Sequence, residues 1–213
     1  MDFQYAIFDM DGTLLDSIPY WDRLVPRYLQ EYGVQAEGNV NQEMAALSLP
    51  ECGVWLKERF LLPRSAEEIV QELSERIGKN YAEDILPKKG VKEWLLSLQK
   101  KGVHMCVATA SSAALGRPAL ERGGLLSCLD FLVDCQMAGA GKNSPAVYQL
   151  AAERLGARIF ECVVVEDSSF ALKTAKEAGF LTIGVYEASE PDQEAVKKYS
   201  DWYVQGFEEL FTL

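Results

Sequence analysis

Tyr5-Ala6-Ile7-Phe8-Asp9-Met10-Asp11-Gly12-Thr13-Leu14-Leu15-Asp16-Ser17 sets an apolar run directly against two aspartates one residue apart, with a glycine after them. A strand sends alternate side chains to opposite faces, so residues two apart share a face. Asp9 and Asp11 therefore begin on the same side of the chain, where it leaves a sheet. Two carboxylates that close cannot both ionise without a cation. The pair points to one aspartate as nucleophile or metal ligand and the other as general acid/base. Asp-Gly also suits a plain turn. The apolar strand before it and Thr13 after it favour the chemical reading.

Phe8-Asp9-Met10-Asp11-Gly12-Thr13-Leu14-Leu15-Asp16-Ser17 resembles the signature of the haloacid dehalogenase-like superfamily of phosphatases and phosphomutases. That family carries three further pieces downstream in a fixed order, and a counterpart of each is present. Met105-Cys106-Val107-Ala108-Thr109-Ala110-Ser111-Ser112 is an apolar strand ending in hydroxyls. A helix start there offers backbone amides and a hydroxyl to an anion, although Ser and Thr at such places also serve as helix caps. In Ala140-Gly141-Lys142-Asn143-Ser144-Pro145, a lysine sits in a small-residue loop ahead of a helix led by proline. Most lysines are solvated; the resemblance gives this one a role. Asn143-Ser144 departs from the Pro-Ala or Pro-Glu usual in the family. Cys162-Val163-Val164-Val165-Glu166-Asp167-Ser168 is a buried-strand pattern that ends in two carboxylates. Hard oxygen donors in an open site suit Mg²⁺, and Asp167 could alternatively cap the following helix. Ala171 stands where the family has glycine.

The resemblance implies a Rossmann-like α/β fold, a parallel sheet flanked by helices with a small helical cap inserted. It also implies a mechanism. Asp9 attacks phosphorus to give an aspartyl-phosphate, and Asp11 protonates the leaving oxygen and then activates water. Mg²⁺ sits on Asp9, the Asp11 backbone carbonyl and Asp167, with Glu166 as a ligand or the holder of metal-bound water. Lys142 and Thr109 offset phosphoryl charge. Gly12, Ala110, Ser111 and Trp21 are the expected substrate contacts.

The organisation of the chain agrees with that fold. Short apolar runs recur at 4–8, 103–108, 131–134, 162–166 and 181–185, with a weaker one at 202–204. Helical patterns separate most of them, the mark of a parallel α/β sheet. Examples are 89–101, a helix led by Pro145 that Gly156 closes, and one from about Ser168 to Gly179. From Ser17 to about Pro87 no strand is convincing. Tyr20, Trp21, Leu24, Val25, Tyr28, Leu29 and Tyr32 form one apolar stripe there, and Ile69, Val70, Leu73 and Ile77 another. The expected division is a core of 1–16 and 88–213 and a cap of 17–87. The connections lie near Leu15–Pro19 and Ile85–Gly90, and Trp21, Arg23, Arg27, Trp55, Lys57 and Arg59 could roof the site.

Composition narrows the partners. A chain of 213 residues, 48% hydrophobic, buries a proper core. Its formal charge of −11 argues against nucleic acid, because no basic excess is available to displace counterions. A phosphorylated metabolite then needs a local cation or a metal, since the global field repels it. No stretch approaches the ~20 apolar residues of a membrane span. The first strand already carries Asp9, so no signal peptide is expected before it. Five cysteines without a C-x-x-C spacing fit free thiols in the cytoplasm. Cys106 and Cys162 read as core filler, and the single histidine, His104, as structural. The pattern is compatible with a monomer.

Within the family, Asp11 argues for phosphoryl transfer, since the dehalogenases do not use a second aspartate. The rival is a β-phosphoglucomutase-type reaction. The mutases carry a histidine where this chain has Trp21, and an arginine near Leu49-Pro50 that has no match here. Both departures favour a phosphatase acting on a small phosphomonoester, of which a sugar phosphate is one kind. A non-catalytic phosphate-binding module is the remote alternative, and it would need none of the acidic pieces.

Overall fold

All six apolar runs become strands, and all are parallel to their neighbours. The computed structural model describes residues 3–35, 40–44 and 47–211. Its strands are Tyr5–Phe8 (β1), His104–Thr109 (β2), Phe131–Asp134 (β3), Cys162–Glu166 (β4), Leu181–Val185 (β5) and Trp202–Val204 (β6). Among the described residues the helices run as follows: Ile18–Glu31 (α1), Val40–Met44 (α2), Leu49–Phe60 (α3), Ala66–Glu83 (α4), Val91–Lys100 (α5), Ala113–Arg122 (α6), Cys135–Ala138 (α7), Ala146–Leu155 (α8), Ser169–Glu177 (α9) and Gln193–Lys198 (α10). The strand order is β3-β2-β1-β4-β5-β6. This is the doubly wound order, in which ligands bind beyond the carboxyl ends of the strands where the winding reverses. Here the reversal falls between β1 and β4, which run side by side with Phe8 opposite Val165.

Strand alternation sorts the sheet into two apolar layers. Ala6, Phe8, Val107 and Val165 join one cluster, with Trp94 and Leu95 of α5 and Leu120 of α6. Ile7, Cys106, Ala108, Cys162 and Val164 join the other, with Tyr148 and Ala151 of α8. A sheet covered on both faces explains why the strands read as near-continuous apolar runs rather than alternating ones. Cys106 and Cys162 are fully buried, as core filler should be, and all five thiols are unpaired.

Between β1 and α5 the described residues hold four helices and no strand. The two stripes read from the sequence pack inward: Val25, Tyr28 and Leu29 from α1 meet Ile69, Leu73 and Ile77 from α4. Capping boxes start α3 and α4. The Ser48 N–H donates to Glu51 at 2.7 Å and the Ser65 N–H to Glu68 at 2.7 Å. The sequence does not announce α3, because only Gly53 and Leu56 of it are buried, too few for a stripe. The two chain crossings bind each other. Leu15 bridges Pro87 in antiparallel fashion, the Asp16 N–H donates to the Leu86 carbonyl, and the Lys88 N–H donates to the Leu14 carbonyl, both at 2.9 Å.

Candidate active site

Asp9 leaves β1 with its N–H still donating to the Val165 carbonyl at 2.9 Å, so the ladder to β4 fixes its backbone. The residue is 5% exposed. One carboxylate oxygen pairs with the Lys142 ammonium, and the other is buried without a hydrogen-bond partner. Lys142 comes from the loop ahead of α8 and is itself buried, so it is not the solvated lysine of the ordinary case. It also pairs with Glu166 at the end of β4. The Tyr148 hydroxyl of α8 donates to the same Glu166 oxygen at 2.8 Å. Glu166 thus stands behind the lysine and holds it against Asp9.

Burial is the main cause that raises the Asp9 carboxyl well above the usual carboxylate range. Lys142 opposes the rise, whereas Glu166, Asp167 and Asp11 add to it. For Lys142, burial alone would lower the ammonium, but Asp9 and Glu166 more than reverse this and it rises. The lysine is therefore held cationic. Asp167 follows β4, and its carboxyl is pushed up to about 7, chiefly by burial and then by Glu166. Thr13 donates to it at 2.6 Å, which works the other way. A cap role for Asp167 is excluded, since Ser168 is the N-cap of α9 and Asp167 is spent on Thr13.

One carboxylate oxygen each from Asp9, Glu166 and Asp167 lies within 4.8 Å of the others. All three residues are buried. Hard oxygen donors, an orphaned buried oxygen on Asp9 and raised carboxyls make this cluster fit a divalent cation of the Mg²⁺ type. Gly12 makes room for it. A Cβ there would stand 2.4 Å from an Asp167 oxygen, and its φ of 87° also favours glycine. Gly12 does not line the cavity described below, and its N–H donates to the Leu15 carbonyl at 2.9 Å. Its close approach to Asp167 gives it a place in the architecture of the acidic cluster.

Asp11 is set apart from the cluster. One of its oxygens accepts from the Ser17 hydroxyl at 2.7 Å and from the Tyr81 hydroxyl at 2.5 Å. The second oxygen is buried and unpartnered. Tyr81 belongs to α4, is fully buried, and accepts in turn from the Trp21 indole N–H at 3.1 Å. Burial is the largest cause that pushes the Tyr81 hydroxyl well up, and the Asp11 charge adds to it, so it remains a donor. Sequence reading missed Tyr81. The only signal was an aromatic on the buried stripe of α4, which reads as core.

Thr109 ends β2, with its hydroxyl oxygen accepting from the Ser111 N–H at 3.1 Å. The hydroxyl proton stays available for an acceptor. A cavity of about 1380 Å³ opens over this end of the sheet, lined by Asp9, Asp11, Thr109, Ala110, Ser111, Lys142 and Asp167 among others. Trp21 lines it too, but of the charged and aromatic residues expected to roof it, Arg23, Arg27, Trp55, Lys57 and Arg59 do not. Arg23 instead donates to the Pro19 carbonyl at 2.7 Å, and Trp55 packs edge-on with Phe60. A second cavity of about 660 Å³ lies at the opposite end of the strands. It is lined by His104, which pairs with Asp130 at 3.1 Å, and by none of the predicted site residues.

The profile of the haloacid dehalogenase-like hydrolases matches residues 3–179, which span all four site segments. The chain belongs to that family. Among its relatives is the phosphorylated carbohydrates phosphatase of Thermotoga maritima, 28% identical over 174 residues, 82% of this chain and 81% of that protein. Hexitol phosphatase A of Escherichia coli is 29% identical over 181 residues, 84% of this chain and 81% of that protein. In fold, this haloacid dehalogenase-like hydrolase is similar to CbbY from Rhodobacter sphaeroides, whose crystal structure was solved in complex with phosphate. That likeness has a TM-score of 0.83 at 24% identity, covering 98% of this chain and 96% of the other. No helix among the described residues is long and apolar enough to cross a membrane.

Proposed function

We propose that this hydrolase is a phosphoric monoester hydrolase, a Mg²⁺-dependent phosphatase of a small phosphomonoester, with sugar phosphates first among its substrates. The observation that carries the proposal is the state of Asp9, a cavity-lining residue in which one oxygen is neutralised by a buried lysine and the other is buried and unpartnered. That is a nucleophile prepared for an electrophile that brings its own charge. The Asp9 oxygen forms a bond to phosphorus as the bond to the leaving oxygen breaks. Asp11 gives that oxygen a proton. It then takes one from the water that attacks the aspartyl-phosphate, which releases phosphate and restores both aspartates. The Lys142 ammonium, the Thr109 hydroxyl and the Ala110 N–H meet the phosphoryl oxygens, with Ser111 beside them. Asp9, Asp167 and the Asp11 backbone carbonyl would hold Mg²⁺, with Glu166 behind them. When bound, the ion offsets the negative charge of the phosphoryl group.

In the same reading, residues 17–87 act as a cap that closes over substrate, hinged at 15–19 and 85–90. Proline lies in both crossings, and they touch through only a short ladder. The sugar-phosphate preference is supported by the two relatives, a phosphorylated carbohydrates phosphatase and a hexitol phosphatase. The buried free thiols fit a cytoplasmic location.

The test is phosphate release from an aryl phosphate and a panel of sugar phosphates, with and without Mg²⁺, in wild type and Asp9→Asn. Release that requires both Mg²⁺ and Asp9 supports the phosphatase. Turnover retained in Asp9→Asn would sink it. Isomerisation of β-glucose 1-phosphate to glucose 6-phosphate without net phosphate release would assign a mutase instead.

A further inference from the structure

The cavity over Asp9 is walled by two kinds of side chain. The helices between β1 and α5 contribute aliphatic groups, among them Val25, Val40, Met44 and Leu73. The lining carboxylates are Asp22 and Glu190 in addition to those of the catalytic cluster. Lys142 is the single cationic side chain on the wall among the described residues, and Asp9 and Glu166 already engage it. The positions outside the description, 1–2, 36–39, 45–46 and 212–213, hold no lysine, arginine or histidine, and residues 41 and 42 are Asn and Gln.

We infer that this site takes monophosphates whose leaving group is uncharged, and discriminates against any substrate that carries a second phosphate or a carboxylate. The inference rests on the phosphatase reading above and narrows its substrate class. The transferring phosphoryl group has partners at Lys142, Thr109 and the acidic cluster with its cation. A second anion finds no further cationic side chain on the wall among the described residues. It would lie against aliphatic side chains and two further carboxylates, and a charge that loses water without gaining a cationic partner is disfavoured. The formal charge of −11 repels it further on approach. A neutral leaving group meets no such penalty. Gln30 and Gln35, which also line the cavity, can exchange hydrogen bonds with hydroxyls.

Three aryl phosphates isolate the effect: 4-carboxyphenyl phosphate, its neutral size match 4-carbamoylphenyl phosphate, and phenyl phosphate as a neutral ester without the para group. Each is assayed with Mg²⁺ for kcat/KM at low and at high salt. The expected result is a kcat/KM for the carboxylated ester lower by about tenfold or more than for both neutral esters. The gap should narrow as salt screens the carboxylates. It should narrow again in Gln30→Arg, which places a cation on the wall at an exposed helical position. Equal efficiency on the carboxylated and neutral esters overturns the inference and leaves the phosphatase standing. A gap that ignores both salt and Gln30→Arg overturns it as well. No Mg²⁺-dependent release from any of the three overturns the phosphatase reading, and the inference falls with it.

Discussion

As the proposed general acid, Asp11 would have to be held over the leaving oxygen, and two donors meet one of its oxygens. Ser17 comes from the same loop, whereas Tyr81 comes from α4 and is tied to Trp21. A hydrogen bond to a charged group contributes about 1.5–3 kcal/mol. Tyr81→Phe should therefore lower kcat by roughly tenfold or more with little change in KM, since the phosphate contacts are untouched. An unchanged kcat, measured by phosphate release at saturating substrate, would make the Tyr81 contact incidental. At Asp167 the argument concerns stability. Its folded carboxyl titrates near pH 7, above the reference value of 3.8 for the free side chain, so the metal-free folded state binds the proton more tightly than the unfolded chain does. The contribution is favourable at low pH and is lost as pH rises from about 4 through about 7. Thermal melts of metal-free wild type and Asp167→Asn should therefore diverge across that window, with the wild type falling relative to the variant. Parallel melting curves would contradict the shift. Asp9→Asn follows the same logic. It should be inactive yet melt higher than wild type without metal, because it relieves a crowd of buried carboxylates.

At the scale of elements, the pieces named in the sequence all become strand ends or the loops beside them. The reason is physical. A strand buried on both faces advertises itself as an apolar run, and its end is marked by the first polar residue, here Asp9, Thr109 or Glu166. Helices that bury a stripe, such as α1 and α4, are equally legible. What was not legible is α3, with only two buried residues, and the direction in which its flanks point. Trp55, Lys57 and Arg59 look suited to a roof in the sequence, but α3 turns them away from the cavity. The end of α3 carries a local cost that can be tested. Leu61 is the C-cap at φ 51°, the left-handed region, and its side chain is 86% exposed. A branched side chain there is strained by about 1 kcal/mol, and little packing is lost by removing it. Leu61→Gly should thus raise the thermal midpoint by about 2–4 °C with activity intact. A lower midpoint would mean that Leu61 supports the following loop.

For the whole molecule, the acidic cluster would couple a bound cation to the fold. Asp9 and Glu166–Asp167 approach from neighbouring central strands, so a cation that joins them clamps β1 to β4 and stabilises the folded chain by mass action. At about 100 times its Kd, Mg²⁺ should add ~2.7 kcal/mol and raise the midpoint by about 5–10 °C. Asp167→Asn should lose most of that rise. A rise of the same size in the variant would place the ion elsewhere.

Sequence alone determined the strands, the parallel class, the helical insertion and the identity of Asp9, Asp11, Thr109, Lys142, Glu166 and Asp167 as candidates. Each depends on local information: a periodicity, an abrupt polar residue after an apolar run, or a motif of about ten residues. Tertiary structure alone decided that β1 and β4 are neighbours, which sets Asp9 beside Asp167, and that Gly12 leaves room for that approach. It also brought Tyr148 behind Glu166 and Tyr81 onto Asp11, 70 residues apart in the chain. In sequence both tyrosines are buried aromatics like any other. Only the packing of helices against the strand ends shows that each buries its ring and spends its hydroxyl on a carboxylate.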